Sequence, residues 1–222
     1  IEAIQQYLTA DHLTVYPEYV DAMSELAAFF KVGQDEFAMT NGTDEAIQVL
    51  VNTYIDDGDD VLLMRPSYAM YRFYTEVAGG SVRELEYRKD DLSFPTDKFL
   101  EALRPETKLV MLANPNNPTG TYLNRHQLKT MLEKLKGRNI IVLLDYAYRE
   151  YARAADLPGA MEFYRDYPNL IVTGTFSKIY GLAGLRVARH KDELAGMAPR
   201  AEIVDFARAC LQVVVKQAGV VY

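Results

Sequence analysis

Four runs of apolar residues set the limits on what this chain can fold into. Residues 61–64, 109–112, 140–144 and 170–172 are apolar throughout rather than alternating. A strand with one wet face alternates apolar and polar side chains; a continuous apolar run is buried on both faces. Helical patterns separate these runs. In 18–31, Val20, Met23, Leu26, Ala27 and Phe30 recur at helical spacing, and in 44–55 Ala46, Ile47, Val49, Leu50 and Ile55 do the same. Residues 68–79, 96–103 and 124–136 also read as helices, the second of these capped by Thr96. Residues 37–39 and 82–87 read as further strands. Strands alternating with helices in this way predict an α/β chain with a mostly parallel sheet covered on both sides.

In such sheets the ligand crevice lies beyond the carboxyl ends of the strands. Polar strings follow Met39, Met64, Leu112, Leu144 and Val172. Five strand ends are therefore expected to converge on one site.

The last of these strings holds the most informative residue. Lys178 lies in Thr-Gly-Thr-Phe-Ser-Lys, residues 173–178, just past an apolar run. A lysine near the end of a buried strand can lose its proton and attack a carbonyl to form a Schiff base. Thr175, Ser177 and Arg186 surround it and could hold phosphate oxygens; Arg186 could equally serve a structural ion pair. Asp145 follows directly on a buried strand, where a carboxylate is costly without a partner. A protonated ring nitrogen would suit it; so would a helix N-terminus. Tyr148, three residues on, could turn back and donate its hydroxyl.

The remaining strings are less specific one by one. Asn41, Gly42, Thr43, Asp44 and Glu45 run from a strand into a helix. The glycine lets the backbone approach a ligand, and the helix N-terminus offers N–H groups to an anion. Asp44 and Glu45 could also be ordinary first-turn acids. Tyr68 either stacks on a flat ring or packs within a helix beside Tyr71 and Tyr74. Asn114-Pro115-Asn116-Asn117-Pro118-Thr119-Gly120 can be neither helix nor central strand. Asn117 could offer its amide to a phenolate oxygen, or the string could be a plain asparagine turn.

Composition removes several alternatives. A net charge of −7 argues against a nucleic-acid partner. No apolar stretch approaches the ~18 residues of a membrane-spanning helix. The single cysteine, Cys210, excludes a disulfide within the chain and is expected to be a small buried apolar residue. That usage fits a reducing compartment, so a cytoplasmic location is expected. His12, His126 and His190 lack ligand spacing, and no metal site is expected. The start shows no basic segment followed by an apolar core and no initiating methionine, so it can fall inside a longer protein.

Taken together the strings resemble the fold-type I aminotransferases that use pyridoxal phosphate, and most closely their histidinol-phosphate branch. The carrying pieces are Asn-Asn-Pro-Thr-Gly at 116–120, Asp-x-x-Tyr at 145–148, and Ser-Lys at 177–178 followed eight residues on by Arg186. Tyr-x-Met-Tyr at 68–71 and Tyr-Pro at 16–17 point to the branch. The resemblance implies a three-layer large domain and the cofactor pyridoxal 5'-phosphate. It implies that Lys178 forms the Schiff base and shuttles the substrate's α-proton, and that Asp145 pairs with the ring nitrogen. Asn117 and Tyr148 would bond the ring hydroxyl oxygen, and Tyr68 would stack on the ring. Gly42, Thr43, Asp44, Thr175, Ser177 and Arg186 would form the phosphate cup. Tyr16 would reach the active site of a neighbouring subunit, making a homodimer part of the site. The implied reactants are a small amino donor and a 2-oxo acid. A threonine-phosphate decarboxylase would share nearly every one of these motifs.

The resemblance fades near Arg186. Family members are longer and carry a small C-terminal domain with an arginine for the substrate carboxylate. Here Arg186-Val187-Ala188 runs at once into Arg189-His190-Lys191-Asp192. The expected organisation is an N-terminal segment at 1–15, a cofactor-binding large domain at 16–188, and at 189–222 a remnant of the inter-domain helix and small domain. That remnant is expected to be discontinuous, with joins near Ala188, Pro199 and Val214. If it is continuous, a non-catalytic binding protein of the same fold is the alternative.

Overall fold

A computed structural model of the chain describes residues 19–159, 161–179 and 212–215, together with residues 10, 14 and 15. Its helices are α1 (Val20–Phe30), α2 (Thr43–Tyr54), α3 (Ala69–Val77), α4 (Thr96–Ala102) and α5 (Arg125–Leu135). Its strands are β1 (Phe37–Met39), β2 (Asp60–Arg65), β3 (Ser81–Glu86), β4 (Thr107–Ala113), β5 (Ile141–Asp145), β6 (Leu170–Thr175) and β7 (Gln212–Val215). They form one seven-stranded sheet in the order β1-β7-β6-β5-β4-β2-β3.

The apolar runs behave as their composition predicts. β2, β4, β5 and β6 pair in parallel, and β3 adds to the β2 edge in the same sense. Side chains alternate between the two faces. Leu62, Met64, Val110, Leu112, Val142, Leu144, Leu170 and Val172 point into one core, packed with Leu26, Phe99, Leu128 and Leu132 from α1, α4 and α5. Val61, Leu63, Leu109, Met111, Leu143 and Ile171 point into the other, with Ile47, Leu50 and Val51 of α2 and Tyr71 of α3. The result is the expected three-layer α/β arrangement. Each fully buried aliphatic side chain in these cores contributes roughly 1.5–3 kcal/mol. The edge strand β3 differs, because water reaches it: its charged residues Arg83, Glu84 and Glu86 blunt the open edge.

Two details depart from expectation. Thr96 is the first residue of α4 rather than its cap; Pro95 precedes it, and no side chain caps the helix. The side-chain cap appears at α5 instead, where Asn124 accepts from the Gln127 N–H and Gln127 reaches back. The stretch 212–215, expected within a small-domain remnant, forms β7 between β1 and β6, antiparallel to both. The other residues of 189–222 lie outside the described residues, as do the joins expected near Ala188 and Pro199, whereas Val214 falls inside β7.

An ion pair staples the amino ends of the strands. Arg83 of β3 grips Asp60 of β2 with two bonds of 2.5 Å, and Thr107 of β4 donates to the same carboxylate at 2.7 Å. Its location at the strand starts leaves the opposite, carboxyl edge free for chemistry.

Candidate active site

All five expected strand ends meet at one open cleft. Its walls include Thr43 and Asp44 after β1, Tyr68 after β2, Asn117 after β4, Asp145 and Tyr148 at the end of β5, and Thr175, Ser177 and Lys178 at the end of β6. Gly42 sits directly before Thr43 as the N-cap of α2. Its φ of 107° is open to glycine and strained for other residues. It brings no side chain to the first-turn N–H groups, which have no partner within the helix. Arg186 and Tyr16 lie outside the described residues.

Asp145 is the centre of the cleft floor and is only 4% exposed. One oxygen accepts the Ala147 N–H at 2.9 Å, and the other accepts the hydroxyl of Tyr71 at 2.8 Å. Burial raises its pKa above the usual carboxylate range, because loss of water disfavours the charged form. These two donors and the Thr173 hydroxyl oppose that shift.

Lys178 follows Asp145's neighbour strand. Thr173 pairs with Asp145 across β5 and β6, and the chain then bends away after Thr175. Phe176 is anchored in the core, while the Thr175 hydroxyl accepts the Ser177 N–H at 2.9 Å and tightens the bend. The Lys178 side chain is consequently exposed at the mouth of the cleft, its Nζ 5.2 Å from the centre of the Tyr148 ring. Thr175 thus shapes the loop with the same oxygen that is expected to face a phosphate.

Tyr68 does not hang freely in the cleft. Its hydroxyl donates to Asp44 at 2.7 Å, and its ring meets that of Tyr71 edge-on, 5.6 Å between centres at 85°. Desolvation, with the Asp44 carboxylate second, pushes the Tyr68 phenol well above its ordinary range. Asp44 is therefore more than a first-turn acid. Glu45 keeps that ordinary role, bonding back to the Asn41 N–H.

The three asparagines of the 114–120 loop divide their work. Asn114 is fully buried and exchanges two bonds with the Leu123 backbone. Asn116 donates to the Pro66 carbonyl at 3.0 Å and to Thr119 at 2.9 Å, and accepts from Ser67 at 2.7 Å. It ties the loop bearing Tyr68 to the loop bearing Asn117. Only Asn117 of the three lines the cleft.

Tyr71 was expected as a helix residue packing beside Tyr68 and as part of the Tyr-x-Met-Tyr string, with no role in the site. It is 1% exposed and lines the cleft floor. The signal available in sequence was chemical: a buried phenol and a buried carboxylate each require a partner.

Residues 1–189 match the family model described as aminotransferase class I and II. The chain belongs to that family. A histidinol-phosphate aminotransferase of Bacillus velezensis is 36% identical to this aminotransferase-family chain over 179 residues, covering 80% of this chain and 49% of the relative. The histidinol-phosphate aminotransferase 2 of Carboxydothermus hydrogenoformans is 38% identical over 180 residues, with coverage of 80% and 49%. Among solved structures, the histidinol-phosphate aminotransferase of Sinorhizobium meliloti, in complex with pyridoxal-5'-phosphate, superposes with a TM-score of 0.73 at 25% identity. It is covered to 51% and covers 97% of this chain. The parallel sheet and its covering helices are therefore shared with aminotransferases. The chain spans about half the length of the curated relatives it matches.

Proposed function

We propose that this chain is the cofactor-binding part of a pyridoxal-phosphate-dependent aminotransferase. It would move an amino group between an amino substrate, histidinol phosphate or an aromatic or related amino acid, and a 2-oxo acid. The observation that carries the reading is the meeting of Asp145 and Lys178, from adjacent parallel strands, in one cleft with Tyr68, Asn117 and Tyr148. The names of the relatives support histidinol phosphate as the substrate to try first.

The residues fit the cofactor's chemistry. Asp145 is a buried carboxylate with one donor on each oxygen, still able to accept from a ring N–H. The uncapped first turn of α2 suits a phosphate. When bound, pyridoxal phosphate supplies an aldehyde for a lysine and a ring that takes up electrons. In this reading Lys178 is the residue that would hold the aldehyde and move the substrate's α-proton. Asp145 keeps the ring nitrogen protonated. Asn117 and Tyr148 bond the ring hydroxyl oxygen, and Tyr68 covers the ring face. The N–H groups of Gly42, Thr43 and Asp44 and the hydroxyls of Thr175 and Ser177 hold the phosphate, with Arg186 completing the cup. Tyr16 of a second copy, in a homodimer, reaches the same phosphate. Residues 16–188 form the large domain, and a cytoplasmic location accords with the single cysteine.

The test is spectroscopic. Added pyridoxal phosphate should give a visible absorption band that an amino donor bleaches, with a keto product appearing. Lys178→Ala should fold, bind the cofactor weakly and lack the band. Identical spectra for the two proteins would defeat the assignment of Lys178. Release of carbon dioxide in place of a keto product would point to a decarboxylase.

A further inference from the structure

We propose that Tyr71 is the positioning residue for Asp145: its buried phenol fixes one carboxylate oxygen and stabilises the ionised form that a ring nitrogen requires. The inference rests on the reading of the cleft as a pyridoxal phosphate site.

The geometry supports it from three sides. Tyr71 sits on α3, which packs across the sheet face that carries Leu63 and Met111, in the same core as Ile47 of α2, so its ring is held in place. Its hydroxyl is 2.8 Å from Asp145 Oδ2, a contact across 74 residues of sequence. Its ring also braces Tyr68 edge-on, so one side chain orients both the carboxylate under the ring position and the aromatic over it. Without the phenol, the remaining side-chain donor toward Asp145 is the buried Thr173 hydroxyl, whose effect on the carboxyl is smaller than that of Tyr71. A buried carboxylate so weakly held takes a proton or turns away. A protonated Asp145 could no longer keep a ring nitrogen charged.

The charged and titratable groups around Asp145 come from four elements. Asp44 stands on α2, Tyr68 just before α3, Tyr148 after β5 and Lys178 after β6. Tyr87, after β3, acts on Tyr71 through its charge alone. None of these is hydrogen-bonded to the carboxylate among the described residues; the titratable group that is, is Tyr71.

Tyr71→Phe keeps the ring and its brace on Tyr68 and removes only the hydroxyl. In the protein without cofactor, a ¹³C NMR titration of the Asp145 carboxyl should show a roughly tenfold higher proton affinity in the variant. With ¹⁵N-labelled pyridoxal phosphate, the ring-nitrogen shift should move toward the unprotonated value, and affinity should fall about tenfold. In an Asp145→Ala background the same Phe substitution should leave affinity unchanged, an outcome that mere loss of packing would not give. An unchanged carboxyl titration in Tyr71→Phe overturns the inference even if the cofactor binds. A wild-type protein that binds no pyridoxal phosphate overturns the proposed function and the ring-nitrogen role together. Should Tyr71→Phe fail to fold, the wild type still decides. Its Tyr71 hydroxyl proton must exchange slowly and shift as Asp145 titrates; a freely exchanging proton overturns the inference.

Discussion

The Tyr68 hydroxyl donates to Asp44 at 2.7 Å and so joins the loop after β2 to the first turn of α2. The aromatic that would cover a ring is thereby fixed to the helix end that would hold its phosphate. Tyr68→Phe keeps the ring and loses about 1 kcal/mol of that fixation. Pyridoxal phosphate affinity should drop severalfold, and Tyr68→Leu should cost clearly more. Fluorescence titration checks both; equal losses would mean that the hydroxyl, not the ring, carries the effect.

Asp145 couples function to stability. Burial holds its folded pKa above the ordinary 3.8, so the unfolded chain ionises first as pH rises. Its contribution is therefore greatest below about pH 4 and is lost as pH rises through the folded value. Asp145→Asn removes that loss. In urea unfolding of the unloaded protein, the variant should match or exceed the wild type at neutral pH, with the advantage shrinking toward about pH 4. Cofactor affinity should fall at least tenfold in the same variant. A variant that is less stable at every pH would contradict the direction of the shift.

Asn116 does not line the cleft, yet its substitution should reach it. Asn116→Ala removes the bonds to Pro66, Ser67 and Thr119 and should destabilise the fold by about 1–3 kcal/mol. Because the loops of Tyr68 and Asn117 are then no longer tied, cofactor affinity should weaken as well. Asn117→Ala should weaken affinity with little change in the melting temperature. Thermal melts beside cofactor titrations separate the two asparagines.

Asp60 lies at the other end of the sheet and should affect stability alone. Its bond with Arg83 holds the carboxyl below the ordinary 3.8. Here the sign is opposite to that of Asp145: the contribution is present above 3.8 and lost as pH falls through the lower folded value. Asp60→Ala leaves Arg83 without its partner and should cost about 3 kcal/mol at neutral pH. The gap to wild type should narrow in acid unfolding. Pyridoxal phosphate affinity, measured where both proteins are folded, should be unchanged.

The order of strands and helices was legible because burial on two faces leaves continuous apolar runs. Residues 109–112 and 140–144 could hardly be anything but inner strands. The polar string after each run marked a strand end, and the cleft residues Tyr68, Asn117, Asp145, Tyr148 and Lys178 all follow from that rule. Tyr71 could not be read this way. Its helical spacing describes a core residue equally well, and its partner lies 74 positions away. The split among Asn114, Asn116 and Asn117 was also hidden, since all three are amides in one loop and only their neighbours distinguish them.

What the sequence by itself determined is the inventory: an α/β chain, five polar strand ends, and a lysine and a carboxylate of the kind a ring cofactor needs. Periodicity and local composition are short-range properties, and they suffice for that. The tertiary structure alone decided which groups meet. It set Tyr71 on Asp145, Tyr68 on Asp44 and Asn116 between two loops, and it slotted β7 between β1 and β6. These contacts join segments that only the packed sheet brings together, and a hydrogen bond depends on tenths of an ångström that no local pattern encodes.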